Sequence, residues 1–203
     1  MKNIISIILS LFILSTPTLL SQSDLDQAAK ASITILSQMA DSGIIKDFNS
    51  KNIANSSLAF GIEERIVNFD KLISSTGNFK NISESENKFH YPVINNKSVI
   101  STITMNSKTS KAVSFNDRFL TNELNNLPRK VKENEFKELK LYRIPNLNAY
   151  VYVDREGNAY SSYDGRSLKE IRSVNELFKE LKEEAIEYNK KYGNLIRDNK
   201  LLH

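Results

Sequence analysis

The side chains able to do acid–base or nucleophilic chemistry in this chain are few. There are two histidines, His90 and His203, and no cysteine. A thiolate nucleophile, a disulfide and a cysteine-ligated metal are thereby excluded. His203 is the final residue of a segment expected to be a flexible tail. His90 could act as a general base beside a serine, but acid–base work needs a partner within hydrogen-bond reach, and a lone strand histidine is more often simply packed. Carboxylates are more plentiful: Glu63, Glu64 and Asp70 in one segment, Asp154, Glu156 and Asp164 in another. A glycosidase needs two carboxyl groups facing each other across about 5–10 Å. Adjacent Glu63 and Glu64 point to opposite strand faces and cannot be that pair. Partial burial of one of them against Arg65 or Arg143 is one arrangement, but solvated edge charges are the simpler expectation for these carboxylates. Asp154-Arg155-Glu156-Gly157-Asn158 hints at calcium, but its glycine comes too early for an EF-hand loop, and a tight hairpin turn explains it better. The six glycines make no phosphate-binding loop, so no cofactor and no metal is implied.

The densest chemical signal is aromatic. Tyr142, Tyr150, Tyr152, Tyr160 and Tyr163 fall within one stretch of β character. In a strand, Tyr150 and Tyr152 share one face while Val151 and Val153 share the other. If the valines face the core, the tyrosines form an exposed strip with Arg143 and Arg155 beside it. Tyrosine and arginine are common interface anchors. The competing arrangement packs the tyrosines under a helix. The candidate binding residues are therefore Tyr150, Tyr152, Tyr160, Arg143 and Arg155, with no catalytic residue assigned.

The elements that must carry these groups can be read from pattern. Ser23-Asp24-Leu25-Asp26 resembles a helix start, followed by Leu25, Ala28, Ala29, Leu36, Met39 and Ala40 at helical spacing and a stop at Gly43. Polar residues 46–57 predict a loop, and a strand follows near Phe60 to Val67. One helical turn is expected over Asp70 to Ser74, then a polar connection from Thr76 to Asn87. Residues 89–115 predict a three-stranded antiparallel meander with turns at Asn95-Asn96-Lys97 and Ser107-Lys108-Thr109-Ser110. Asn116-Asp117 caps a short helix with Phe119, Leu120, Leu124 and Leu127, limited by Pro128. A charged connection leads to strands at Leu139 to Ile144, Ala149 to Val153 and Ala159 to Tyr163. Ser173-Val174-Asn175-Glu176 is a capping box, and Val174, Leu177, Phe178, Leu181, Ala185, Tyr188 and Tyr192 form one stripe of a last helix ending at Gly193. The fold class is α+β: antiparallel meanders flanked by an N-terminal and a C-terminal amphipathic helix, either on one sheet or as two similar lobes with a sub-boundary near 116–136.

The N-terminus predicts where the chain works. Met1-Lys2-Asn3 is a short positive start, Ile4 to Leu14 is almost wholly apolar, and Ser15, Thr16 and Pro17 break the run. That is the build of a secretory signal peptide over 1–21, cleaved after Ser21, and it is too short to serve as a spanning anchor. No second apolar run reaches spanning length. The chain would then be exported, to the periplasm or the exterior, leaving an α+β domain over 22–193 and a flexible tail over 194–203. An exported domain without disulfides must rely on an ordinary core. The apolar fraction of 40% and charged fraction of 26% suit a globular chain. The net charge of +4 is small and dispersed, which excludes the clustered basic face of a nucleic-acid protein.

The segment Phe89-His-Tyr-Pro-Val, Ser101-Thr-Ile-Thr-Met105-Asn-Ser-Lys-Thr109-Ser-Lys-Ala-Val-Ser-Phe115 resembles the hairpin of the PepSY family, small exported α+β modules. Asn106 and Ser110 stand where the family's hairpin typically carries an Asp and a turn Gly. The resemblance covers this hairpin alone and implies binding or inhibition rather than catalysis. The functional expectation is a non-catalytic binding or inhibitory module of the bacterial envelope or exterior, with a protein or envelope polymer as partner. The alternative is a carboxylate-based secreted hydrolase.

Overall fold

A computed structural model describes residues 21–45 and 50–197; the leader expected over 1–21 lies, but for Ser21, outside them. The elements in chain order are α1 (Gln22–Asp41), α2 (Ser50–Ala54), β1 (Ser57–Leu58), β2 (Ile62–Val67), α3 (Phe69–Ser74), β3 (Ser83–Asn95), β4 (Ser98–Asn106), β5 (Lys111–Phe115), α4 (Arg118–Asn126), α5 (Arg129–Glu133), β6 (Lys140–Ile144), β7 (Ala149–Val153), β8 (Asn158–Ser161), β9 (Arg172–Ser173) and α6 (Val174–Arg197). The strands form one nine-stranded sheet in the order β5-β4-β3-β2-β6-β7-β8-β9, with β1 added to β3. Two antiparallel meanders, β2 to β5 and β6 to β9, lie back to back. They join where β2 and β6 pair in parallel, Glu63 opposite Lys140 and Arg65 opposite Tyr142. The two candidate lobes are thus halves of a single sheet, flanked as expected by an N-terminal and a C-terminal helix.

Both faces of that sheet are covered. Residues opposite each other across a ladder share a face, and the row Met105–Phe89–Glu63–Lys140–Val153 runs across five strands on one of them. On this face α1 buries Leu25, Ala29 and Leu36 against Tyr91, Val93, Ile103 and Met105. Further along it, α6 buries Leu177, Phe178, Leu181 and Ala185 against Tyr142, Ile144 and Val151. The opposite face carries Ile62, Leu141, Tyr152 and Tyr160, and α4 and α5 cover it with Leu120, Leu124 and Val131. Helix α4 is fastened to β4 at both ends. At its start, the Asn116 and Asp117 backbone N–H groups donate to the Thr102 carbonyl (2.8 Å) and hydroxyl (3.1 Å). At its end, Asn125 accepts from the Val99 N–H (2.9 Å) and donates to the Val99 carbonyl (2.7 Å). The side chain there completes the ladder that β4 has lost.

Several elements differ from expectation for identifiable reasons. The cap of α1 is Ser21, not Ser23: Asp24 N–H donates to Ser21 Oγ at 3.2 Å and Ser21 N–H to Asp24 Oδ2 at 3.1 Å. Asp26, which would complete a box from Ser23, instead accepts from the Tyr91 hydroxyl at 2.7 Å. Within the expected loop over 46–57 lies α2, held by buried Ile53. Phe79 and Ile82, three apart in the connection expected to be polar, bring a 3-10 turn into the core. The charged run after Pro128 forms α5 around buried Val131. Gly193 does not stop α6, which runs to Arg197. A mid-helix glycine costs only about 1 kcal/mol, and Gly193 is not among the left-handed glycines. Gly43 is, with φ +72°, and the Ile44 N–H reaches back to the Met39 carbonyl at 3.0 Å to close α1.

Gly61 marks where β2 passes beneath Tyr91. A Cβ there would stand 2.7 Å from Tyr91 Cζ. The ring cannot easily move, because its hydroxyl is held by Asp26 at 2.7 Å and by Gln22 Nε2 at 3.0 Å. Gly61→Ala is expected to cost about 1–3 kcal/mol by overpacking, read as a lower Tm and faster amide exchange in α1. An unchanged Tm would show that the ring yields freely.

Candidate functional site

The chemistry-bearing residues converge on the face under α4. His90 lies opposite Thr104 on β4 and Ile62 on β2, which places its ring between Thr104 and Glu64. His90 Nδ1 is 2.9 Å from Thr104 Oγ1, and Nε2 is 2.9 Å from Glu64 Oε2. Arg143, on β6, brings Nε to 3.4 Å from the other carboxylate oxygen. That contact is an ion pair by distance without an aligned hydrogen bond. Glu63, on the opposite face, pairs instead with Arg65 at 2.7 Å. The polar row Arg143–Glu64–His90–Thr104 therefore crosses β6, β2, β3 and β4.

Its electrostatics follow from burial. Glu64, His90 and Thr104 are 4%, 6% and 5% exposed. Burial alone would push the Glu64 carboxyl up. The His90 hydrogen bond and the charges of His90, Arg143 and Lys88 outweigh it and hold the carboxyl below its ordinary value. The order hydroxyl, imidazole, carboxylate matches the components of a nucleophilic relay. Here the hydroxyl sits mid-strand and is 5% exposed. A second acid, Glu123 of α4, is 7% exposed and faces the buried Tyr152 hydroxyl. Burial dominates and pushes the Glu123 carboxyl up; burial and Glu123 together push the Tyr152 hydroxyl well up.

At the outer end of this row the surface is aromatic. Tyr150 is the ladder partner of Arg143, and the Phe119 ring of α4 packs on it at 4.8 Å between centroids. Phe119 is 49% exposed, and Arg143 is about a third exposed with its inner side against Glu64. The result is a step of two rings beside a guanidinium.

The five sequence candidates do not stay together. Tyr150 and Arg143 meet, as just described. Tyr152 and Tyr160 are 0% and 2% exposed, so the exposed strip is corrected. With helices on both faces the valines and the tyrosines alike are core, the valines under α6 and the tyrosines under α4 and α5. The Tyr160 hydroxyl donates to Asp154 Oδ2 at 2.9 Å. Arg155 lies at the other end of β7, in the turn, paired with Glu138 at 3.3 Å. Asp154 is consumed by that turn, accepting from the Glu156 and Asn158 N–H groups at 2.9 Å each. Gly157 turns there with φ +81°. Among the described residues no group of three or more His, Asp or Glu is placed to hold a metal ion, and no helix is long and apolar enough to cross a membrane.

Comparison with protein-family models, with curated proteins and with solved structures finds no match. The site must therefore be judged on its own geometry. Thr104 carries no signal in the sequence, and Phe119 reads there only as one of the apolar residues of α4, not as an exposed ring. Phe119 precedes the buried Leu120 and Leu124 of α4, two positions after the Asp117 cap, which is the only local sign that it faces outward.

Two outcomes test the electrostatics. Removing one partner of a buried charged pair costs about 3–5 kcal/mol, whereas replacing both with apolar groups is often neutral. Glu64→Leu is expected to fall in that range in denaturant melts, and Glu64→Leu/His90→Leu to recover most of the loss; strictly additive losses would show the pair uncoupled. Glu123 has the opposite sign. Its raised carboxyl is a burden at neutral pH that disappears once the group is protonated in both folded and unfolded states. Glu123→Gln is expected to raise Tm at pH 8, with the gain fading as pH falls to about 4, the ordinary carboxylate range.

Proposed function

We propose that this chain is an exported, non-catalytic binding module of the bacterial envelope or exterior, and that it docks a protein partner through Phe119, Tyr150 and Arg143. The observation that carries this reading is the burial of the His90 row. The one imidazole among the described residues is committed to Glu64 and Thr104 at about one-twentieth exposure, which leaves the exposed aromatic step beside it as the feature suited to recognition. Aromatic and arginine side chains supply much of the energy at protein interfaces. Arg143 would reach such a partner already oriented by Glu64, with less side-chain freedom to lose on binding.

The leader supports export. Ser21 now bears on where it is cut. Cleavage after Ser21 would replace the α1 cap by an ammonium at the positive end of the helix dipole, an arrangement disfavoured both by cap loss and by charge. Processing upstream of Ser21 keeps the cap.

The test is affinity capture from the host's own envelope and medium, with wild type and Phe119→Ala/Tyr150→Ala side by side and the recovered chain weighed by mass spectrometry. The expected result is a shortened chain that retains Ser21, together with a protein partner lost from the double variant while its Tm is kept. Full-length chain in the cytosol would overturn export. A partner equally retained by the variant, or only polysaccharide captured, would overturn the proposed surface or the partner class.

A further inference from the structure

A cleft of about 490 Å³ opens between the β3–β4 turn and α5, at the far end of α4 from Phe119. That volume lies in the range of small-molecule sites. Its apolar wall is Ile94, Val99 and Phe136, the last two belonging to the buried core under α4 and α5. Its polar lining is Lys97, Arg129, Lys132, Glu133 and Glu135.

The charges are not equivalent. Arg129 Nε donates to Glu133 Oε1 at 2.6 Å, so that pair satisfies itself. Lys132 is half-buried and fixed: its Nζ donates to the Asn125 carbonyl at the end of α4, 2.8 Å away. An ammonium has three donors, so two remain. Lys97 sits in the left-handed turn opposite, with φ +66° beside Asn96 at +49°. The facing wall is equally unusual. Glu135 and Phe136 have φ of +51° and +60°, although neither is glycine. Strain of this kind concentrates at ligand clamps. The wall is nonetheless tied down, with the Phe136 N–H on the Val131 carbonyl (3.1 Å) and the Phe60 N–H on the Glu135 carbonyl (3.2 Å).

We propose that this cleft binds an amphipathic monoanion: an apolar chain carrying one carboxylate, its tail against Ile94, Val99 and Phe136 and its charge against Lys132 and Lys97. The single charge follows from the lining. Three cations and two acids line the cleft, so one carboxylate balances it, while a second would meet Glu135 without a counter-charge. An uncharged chain would leave the ammonium of Lys132 facing apolar atoms as water is expelled, which is costly. The site is independent of the docking surface proposed above.

The experiment titrates the full chain with decanoate, decanol and decanedioate, followed by calorimetry and by amide chemical shifts. Decanoate is expected to bind below about 1 mM, with shifts confined to β3–β4 and α5, and the other two at least tenfold more weakly. Lys132→Met is expected to weaken decanoate at least tenfold without changing decanol, and Ile94→Trp to abolish binding by filling the cleft. Should Ile94→Trp fail to fold, Lys97→Met serves in its place, with a drop in decanoate affinity alone expected. No decanoate binding, equal binding of decanol, or undiminished binding in the folded variants would each overturn the proposal. Loss or retention of the captured protein in Phe119→Ala/Tyr150→Ala has no bearing on it.

Discussion

The parallel pairing of β2 with β6 is the constraint on which the remaining architecture rests. Each meander is held within itself by antiparallel ladders, and only this contact makes one sheet of the two. Glu64 lies on it. One carboxylate oxygen belongs to the first meander through His90, and the other faces the second through Arg143. A buried carboxylate is costly to desolvate, and its attraction to partners repays that only when they are well placed. Here the partners come from different halves of the chain, so the charge is satisfied only when the halves are in register.

Because the sheet is one, its two faces had to be covered differently. Helices α1 and α6 share a face, each over its own meander, and α4 with α5 takes the other. The short helix reaches across because it is pinned at both ends to β4, by Thr102 and by Asn125. This pinning is what sets Phe119 on Tyr150 at one end and shapes the cleft beside Lys132 at the other. The aromatic step and the cleft therefore descend from one helix.

Local signals in the sequence were strong wherever the physics is local. The Asn96-Lys97 turn takes positive φ at both positions, as a tight hairpin requires. Ser173 and Glu176 exchange their capping hydrogen bonds, and Asp117 caps α4. Strand alternation separated Glu63 from Glu64, but the sequence favoured solvated charges, and the burial of Glu64 against Arg143 emerged only with the fold. What could not be read were contacts between distant segments. Tyr152 and Tyr160 could be weighed as a surface strip or as packed under a helix, but nothing local says that α4 and α5 are what cover them. Ser23 looks like a cap until Asp26 is claimed by Tyr91, 65 positions away. His90 could be weighed as packed or exposed, but its contacts with Glu64 and Thr104 depend on registers of β2 and β4 that no single strand encodes.

The joining of the two meanders also orders the assembly of the molecule in time. Hairpins such as β3–β4 and β7–β8 close over a few residues, whereas Glu63 and Lys140 are 77 positions apart. Closing so long a loop is entropically costly before any contact rewards it, and such pairings form slowly. While it is pending, each half exposes an unpaired strand rich in isoleucine, leucine or valine, the kind of edge that invites another chain. A newly made copy is thus most vulnerable to clumping in that interval, and a chaperone that shields β2 or β6 would protect it best.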